Sequence, residues 1–176
     1  MRTNSKTQDE KILALADEAI EMIENGTKPK TLCRIFECTV FDDGVEVGGC
    51  SFKSKRLAEN LMGCKRVALF GATLGIEADR MIYSASKDNL SLAIALQAAA
   101  ATKIEEVCDG VEEEIKAQYG VELRQRYSPG YFDLDISEQK KVFLLLELTK
   151  RIGITLTETF EMLPTKSVTA FCGIEN

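Results

Sequence analysis

The chain predicts an α+β fold: a single domain with a mixed or antiparallel twisted sheet, flanked by helices that include one long central helix. Three observations predict it. Apolar residues recur at helical spacing through about 88–119, a longer stretch than any other. Compact apolar runs such as Val67-Ala68-Leu69-Phe70 read as central strands. Strands and helices come at unequal intervals and do not alternate strictly, as they would in a doubly wound fold. At 176 residues and 45% hydrophobic, the chain holds enough apolar material for one well-buried core. No Pro/Ser/Gly-rich linker or low-complexity tract divides it, so 1–176 reads as one unit.

The elements follow in order. From about 7 to 24, Ile12, Leu15, Ala16, Ala19, Ile20 and Ile23 form the stripe of an amphipathic helix ended by Asn25-Gly26, suited to covering the sheet or, less simply, docking a partner. Residues 31–41 alternate loosely before Asp42-Asp43-Gly44, and Val45 and Val47 continue to Gly48-Gly49, which predicts a hairpin with its turn at Asp-Asp-Gly. A short helix over 53–62 and a central strand over 64–70 come next. Gly71-Ala72-Thr73-Leu74-Gly75 lacks the ending of a phosphate loop and reads as a strand-to-helix turn into a helix over about 76–84. The long helix carries Leu90, Ile94, Ala98, Ala101, Ile104, Val107, Cys108, Val111 and Ile115 on one stripe, with four alanines at 98–101, a solvated acidic face at Glu112, Glu113 and Glu114, and Gly120 past its end. A short strand over 121–127 leads into a corner. Asp135 and Glu138 have capping-box spacing for a helix over 137–150 whose apolar centre, 142–146, predicts deep burial all round. Gly153 ends it, and 154–160 and 166–174 read as an antiparallel strand pair joined through Met162-Leu163-Pro164 that closes the sheet.

A formal charge of −6 and a pI near 4.9 exclude a basic nucleic-acid footprint. No run approaches the ~20 apolar residues of a bilayer helix, and the N-terminus lacks a signal-peptide core, which together predict a soluble, cytoplasmic protein. The six cysteines include no Cys-x-x-Cys and the chain has no histidine, so zinc-ribbon, zinc-finger and thioredoxin readings fail for want of ligands. Buried reduced thiols are the default. The missing histidine also excludes Ser-His-Asp and Cys-His catalysis.

The most site-like stretch is Arg126-Tyr127-Ser128-Pro129-Gly130-Tyr131. A guanidinium grips a carboxylate with two parallel bonds, and a Pro-Gly corner lets a ligand approach the backbone. The plainer alternative is a turn with packed tyrosines and a solvated arginine. This Arg-x-x-Pro-Gly-Tyr segment, a helix, Gly153-Ile154-Thr155-Leu156-Thr157-Glu158, Met162-Leu163-Pro164 and Ser167-Val168-Thr169-Ala170 together resemble the activation domain of cobalamin-dependent methionine synthase, over 126–170. The chain is similar to short, free-standing members of that family. The resemblance implies binding of S-adenosylmethionine and capping of the corrinoid during reductive remethylation, with no independent catalysis. It implies cobalamin carried by a partner, a corrinoid-binding methionine synthase lacking its own activation domain, and a flavodoxin-like reductant. With no histidine here, the cobalt and its lower ligand come from that partner.

By the same resemblance Arg126 would bind the methionine carboxylate, Gly130 would open the backbone to the ligand, and Tyr131 would pack against it or the corrin. Tyr127, Ser128 and Phe132 are secondary members of the cofactor site, and no catalytic or metal residue is expected. Three departures accompany it. Residues 132–141 do not reproduce the longer members' segment; the family's helix glutamate aligns with Ala101 and Thr102, with Glu105 and Glu106 one turn further on; and a tyrosine-bearing segment follows the last strand in the longer members. The alternative function is a corrinoid-docking cap that no longer binds S-adenosylmethionine. A cysteine enzyme is the third reading, and no thiol has the cationic setting it needs.

Overall fold

The computed structural model describes residues 3–175. Its elements are α1 (Thr3–Gly26), β1 (Lys30–Phe41), β2 (Gly44–Val47), β3 (Cys50–Lys53), α2 (Lys55–Asn60), β4 (Arg66–Thr73), α3 (Ile76–Asp88), α4 (Leu90–Tyr119), β5 (Glu122–Leu123), α5 (Gln139–Leu146), α6 (Leu148–Ile152), β6 (Thr155–Leu156), β7 (Met162–Leu163) and β8 (Ser167–Glu175). Six strands form one sheet in the order β3-β2-β1-β4-β8-β5, with every neighbouring pair antiparallel. The fold is α+β, as the sequence predicts.

Helices cover both faces, which explains why β4 is a continuous apolar run rather than an alternating one. Ala68, Phe70 and Ala72 face the layer of α1, α3 and α4, together with Ala170 and Cys172 of β8. Val67 and Leu69, with Phe171 of β8, face α2, α5 and α6. The two central strands are thus sealed on both sides. Gly71 allows the second layer to come close, because a Cβ there would lie 2.6 Å from Leu148 Cδ2.

Several boundaries differ from expectation. The helices expected over about 76–84 and 88–119 are α3 and α4, but α3 runs on to Asp88, so that Asn89 alone separates them, capping α4 by accepting from Leu92 N at 3.0 Å, a boundary that apolar periodicity does not register. The buried stripe of α4 is Ala93, Leu96, Ala100, Ile104, Cys108, Val111 and Ile115, while Leu90 and Ile94 lie exposed. The expected hairpin is a three-stranded meander, since Gly48 and Gly49 turn the chain once more into β3. The predicted 137–150 helix begins as a 3-10 turn, Ile136–Glu138, and breaks at Glu147, a left-handed residue whose carboxylate holds Arg34 of β1 at 3.0 Å and Arg151 at 2.9 Å. Asp135 caps that turn through Ser137 N at 2.8 Å. Its centre is not buried all round, because Leu144 is exposed. Finally, β6 pairs with the short β7 in a separate two-stranded ribbon, and β8 pairs with β4 instead. Proline ends β7 by removing a donor and turns the chain toward β8.

Candidate functional site

The corner at 124–131 runs along the edge of β8 and ends there. Arg124 N donates to Gly173 O at 2.8 Å, and Tyr127 and Phe171 exchange both backbone bonds at 2.8 and 3.0 Å. Alternate side chains point to opposite faces, so Tyr127 enters the layer of Phe171 while Arg126 turns toward α4. A cleft of about 950 Å³ opens beyond this pairing, between α4, the loop at 128–136 and the segment 160–169.

One end of the cleft is charged. Arg126 Nη1 donates to Asp109 at 2.7 Å and Glu112 at 2.5 Å, and Nη2 donates to Glu105 at 3.0 Å. The three acids stand at i, i+4 and i+7 of α4, which places them on one helical face. Burial pulls the guanidinium's pKa down, but the hydrogen bonds and charges of Asp109 and Glu112 outweigh it and the net shift is upward, so Arg126 stays charged. Three carboxylates against one guanidinium leave this end net negative.

The other end is aromatic and apolar, formed by Tyr131, Phe132, Ile136, Phe160, Met162 and Leu163. Phe132 and Phe160 both hold left-handed backbone conformations, at φ 50° and 66°. Such conformations cost about 1–3 kcal/mol each and persist only where the surroundings hold them. The first is held by Asp133, whose carboxylate accepts from Ser54 Oγ at 2.6 Å and from Lys55 N at 2.7 Å at the start of α2. Those bonds, Ser54's foremost, depress the Asp133 pKa. Tyr127 Oη donates to the same carboxylate at 3.3 Å, and the rings of Tyr127 and Phe132 stack at 6.1 Å between centroids. Thr165, at the start of the segment leading to β8, donates through N–H and hydroxyl to Asp79 of α3.

Between the two ends the floor is polar and buried. Thr169 Oγ1 donates to Gln139 Oε1 at 2.8 Å, and Ser167 Oγ donates to Pro164 O at 2.7 Å while lying 2.8 Å from Thr73 Oγ1. Among the described residues no helix is long and apolar enough to cross a membrane, and no group of three or more Cys, Asp or Glu side chains is placed to hold a metal. Burial pushes the thiols of Cys33 and Cys38 up to about 11 and that of Cys108 to about 12, so none of the three is poised as a nucleophile.

The family model described as vitamin B12 dependent methionine synthase, activation domain, matches residues 57–175. The chain belongs to this family. A crystal structure of the MetH reactivation domain bound to AdoHcy superposes with a TM-score of 0.72 at 17% identity, covering 95% of this chain and 65% of that one. The likeness is one of fold, and this activation domain spans about two thirds of that neighbour's length. No curated protein matches the chain.

Within this activation domain the structure gathers Arg126, Tyr127, Ser128, Tyr131 and Phe132 around one cleft. Gly130 is not on its lining. Gly130 supports the corner from beneath at φ 92°, where a Cβ would meet Ile136 Cδ1 at 2.9 Å. Ala101 and Thr102, the positions aligned with the family's helix glutamate, lie outside the cleft; Ala101 is exposed and Thr102 borders a smaller cavity between α1 and α4. Glu105 takes the place beside Arg126, together with Asp109 and Glu112. Glu112 is therefore no part of a solvated face: its side chain is 18% exposed and bonded to Arg126. Sequence reasoning passed over Asp109, Gln139 and Thr169. The four- and seven-residue spacing of Asp109 and Glu112 from Glu105 was available as a signal, whereas the meeting of Gln139 with Thr169 across 30 residues was not.

Proposed function

We propose that this activation domain binds S-adenosylmethionine in the cleft and caps the corrinoid of a cobalamin-dependent methionine synthase during reductive remethylation. The supporting observation is a single cleft that is net negative at one end, aromatic at the other and hydrogen-bonding between them. That sequence of properties complements a ligand with an ammonium and a sulfonium at one end and a purine at the other. Glu105 and Asp109 attract the cationic centres, and Arg126 turns part of its guanidinium from the acids to the ligand carboxylate. Tyr131 and Phe132, at the rim, supply the apolar surface that meets a corrinoid protein. The corrinoid partner brings the cobalt and its lower ligand, since this chain has no histidine. The bound sulfonium supplies the methyl group, and this domain's part is positioning and exclusion of water rather than proton transfer. The partner is a methionine synthase without its own activation domain, served by a flavodoxin-like reductant.

A second reading, a docking cap without S-adenosylmethionine, is favoured by one observation: Arg126 already has three carboxylate partners. Isothermal titration of S-adenosylmethionine into wild type and Arg126→Ala separates the two. Saturable binding by wild type, weakened by the substitution, is the expected result. No heat at millimolar ligand, with retained association of a cob(II)alamin-loaded methionine synthase, supports the cap reading instead.

A further inference from the structure

Away from the cleft, α1 and α4 leave a second groove between them. It encloses about 240 Å³ and is lined chiefly by Ala16, Ile20 and Ile23 of α1 and by Ala95, Ala98 and Ala99 of α4. That volume falls below the ~300–1,000 Å³ of small-molecule pockets. The apolar surface continues past it along both helices. Ile20 is exposed, as are Leu13, two turns before it on the same face, and Ile94, one turn before Ala98. Single exposed aliphatics are ordinary on a protein surface, whereas a continuous apolar strip marks a contact. Each helix advances eleven residues along the groove, from Leu13 to Glu24 and from Ala95 to Glu106, which is roughly 16 Å or three turns. Helices pack about 8–10 Å apart according to the side chains between them, and alanines permit the close limit. The groove therefore has the length and depth to take one short helix.

The rim decides the charge of that helix. Between Ile12 and Gly26, α1 carries Asp17, Glu18, Glu21 and Glu24 and no Lys or Arg. Asp17, Glu21 and Glu24 recur at i, i+4 and i+7, an exposed row flanking Ile20. On α4, residues 91–102 hold no charge. Lys103, the one cation on the lining among the described residues, is already held by Glu24 at 3.7 Å and Glu106 at 3.2 Å. An apolar floor under an acidic rim complements an amphipathic helix whose apolar stripe is flanked by Lys or Arg. A second copy presenting the same face would set acid against acid, and an anionic membrane surface would be repelled for the same reason.

We propose that the α1–α4 groove seats an amphipathic helix of a partner protein, about three turns long, apolar toward the alanines and basic toward the Asp17–Glu24 row. This is independent of what the cleft binds.

The test uses a synthetic, fluorescently labelled helix of about 14 residues with Leu at i, i+3, i+4 and i+7 and Lys on its flanks, and a counterpart with Glu in place of Lys. Anisotropy is read against wild type, Ile20→Ser and Ala98→Lys, with thermal melts to verify folding. Both positions are exposed, so the substitutions leave the core intact. Wild type should bind the Lys helix saturably and the Glu helix about tenfold more weakly or worse. Ile20→Ser should weaken the Lys helix about fivefold, and Ala98→Lys about tenfold or more. Affinity within twofold of wild type in either folded variant overturns the groove and puts binding elsewhere on the acidic surface. Equal binding of the two helices overturns the basic partner, and absence of binding by the Lys helix overturns the proposal outright. Native mass spectrometry reads the other occupants. A wild-type dimer, or a retained apolar small molecule, that disappears in Ala98→Lys assigns the groove to that occupant and overturns the partner helix.

Discussion

The two walls of the cleft are built by opposite means. One is a face of α4, a helix of 30 residues whose buried stripe from Ala93 to Ile115 locks it onto the sheet. Its carboxylates Glu105, Asp109 and Glu112 inherit their spacing from the helix itself. The other wall, within 127–169, consists of a 3-10 turn, the first turn of α5 and loops around the short β7, with two left-handed phenylalanines. It is kept in place by point tethers: Asp133 to the start of α2, Tyr127 to Asp133, and Thr165 to Asp79. The difference teaches where the site is preorganised. The charged end comes from a repeating element and the aromatic end from individual bonds, so single substitutions should disturb the second locally and the first only through charge.

The largest expected effect lies at the seam between the walls. Phe171 pairs its backbone with Tyr127 and packs its fully buried ring edge-on against Phe52, with centroids 5.0 Å apart. Phe171→Ala should lower stability by about 3–5 kcal/mol in chemical denaturation and loosen both walls together. Loss of protection at one wall alone, read by hydrogen exchange, would break the comparison. Next comes Arg126→Leu, which leaves Glu112 and its neighbours repelling one another without a cation. A loss of about 1–3 kcal/mol is expected, partly recovered in high salt because the outer acids are exposed. An unchanged midpoint would mean that the cluster is solvated in solution.

Asp133→Asn sharpens the contrast without a large global cost. Amides at 130–134 should exchange faster while those of α4 keep their rate. The folded Asp133 carboxyl is held below its ordinary 3.8, so the tether is fully present above that pH and is lost as pH falls through the lower folded value. Exchange at 130–134 followed from pH 6 down to 2 checks the direction. The smallest effect belongs to Asp109→Asn, whose carboxylate is 67% exposed: under about 1 kcal/mol, since Arg126 keeps Glu112. A larger loss would make the helix wall as dependent on single bonds as the loop wall.

Much of the architecture could be read from period and composition. The α+β class, the apolar run of β4, the long helix and the Arg126–Tyr131 corner all have local signatures. What escaped depended on single polar groups acting at a distance. Asn89 sets where α4 begins, one residue after an α3 that runs longer than expected, through its side-chain oxygen, and Glu147 breaks the last helices while binding Arg34 over 113 residues. Neither event changes the apolar period. The acids beside Arg126 are a related case: the family's helix glutamate aligns with Ala101 and Thr102, and neither carries a carboxylate. The alignment followed sequence position, whereas the structure selects the acids by reach to Arg126, one to three turns further along α4. The polar floor was illegible because Gln139 sits in a helix and Thr169 in a strand, each ordinary alone.

The unpaired stretch of β8 bears on self-association as well as on the cleft. A bare strand edge is a template on which another chain adds itself, and long flat ones seed aggregates. Here the gap is bounded above by the Tyr127 pairing and overhung by the Pro129–Leu134 turn, so a foreign strand would find only Ser167 and Thr169 facing it. That is too short a run to hold a second copy, yet wide enough for a flat small molecule. The same proline that interrupts the sheet thus leaves a gap of small-molecule size and denies a polymer its template.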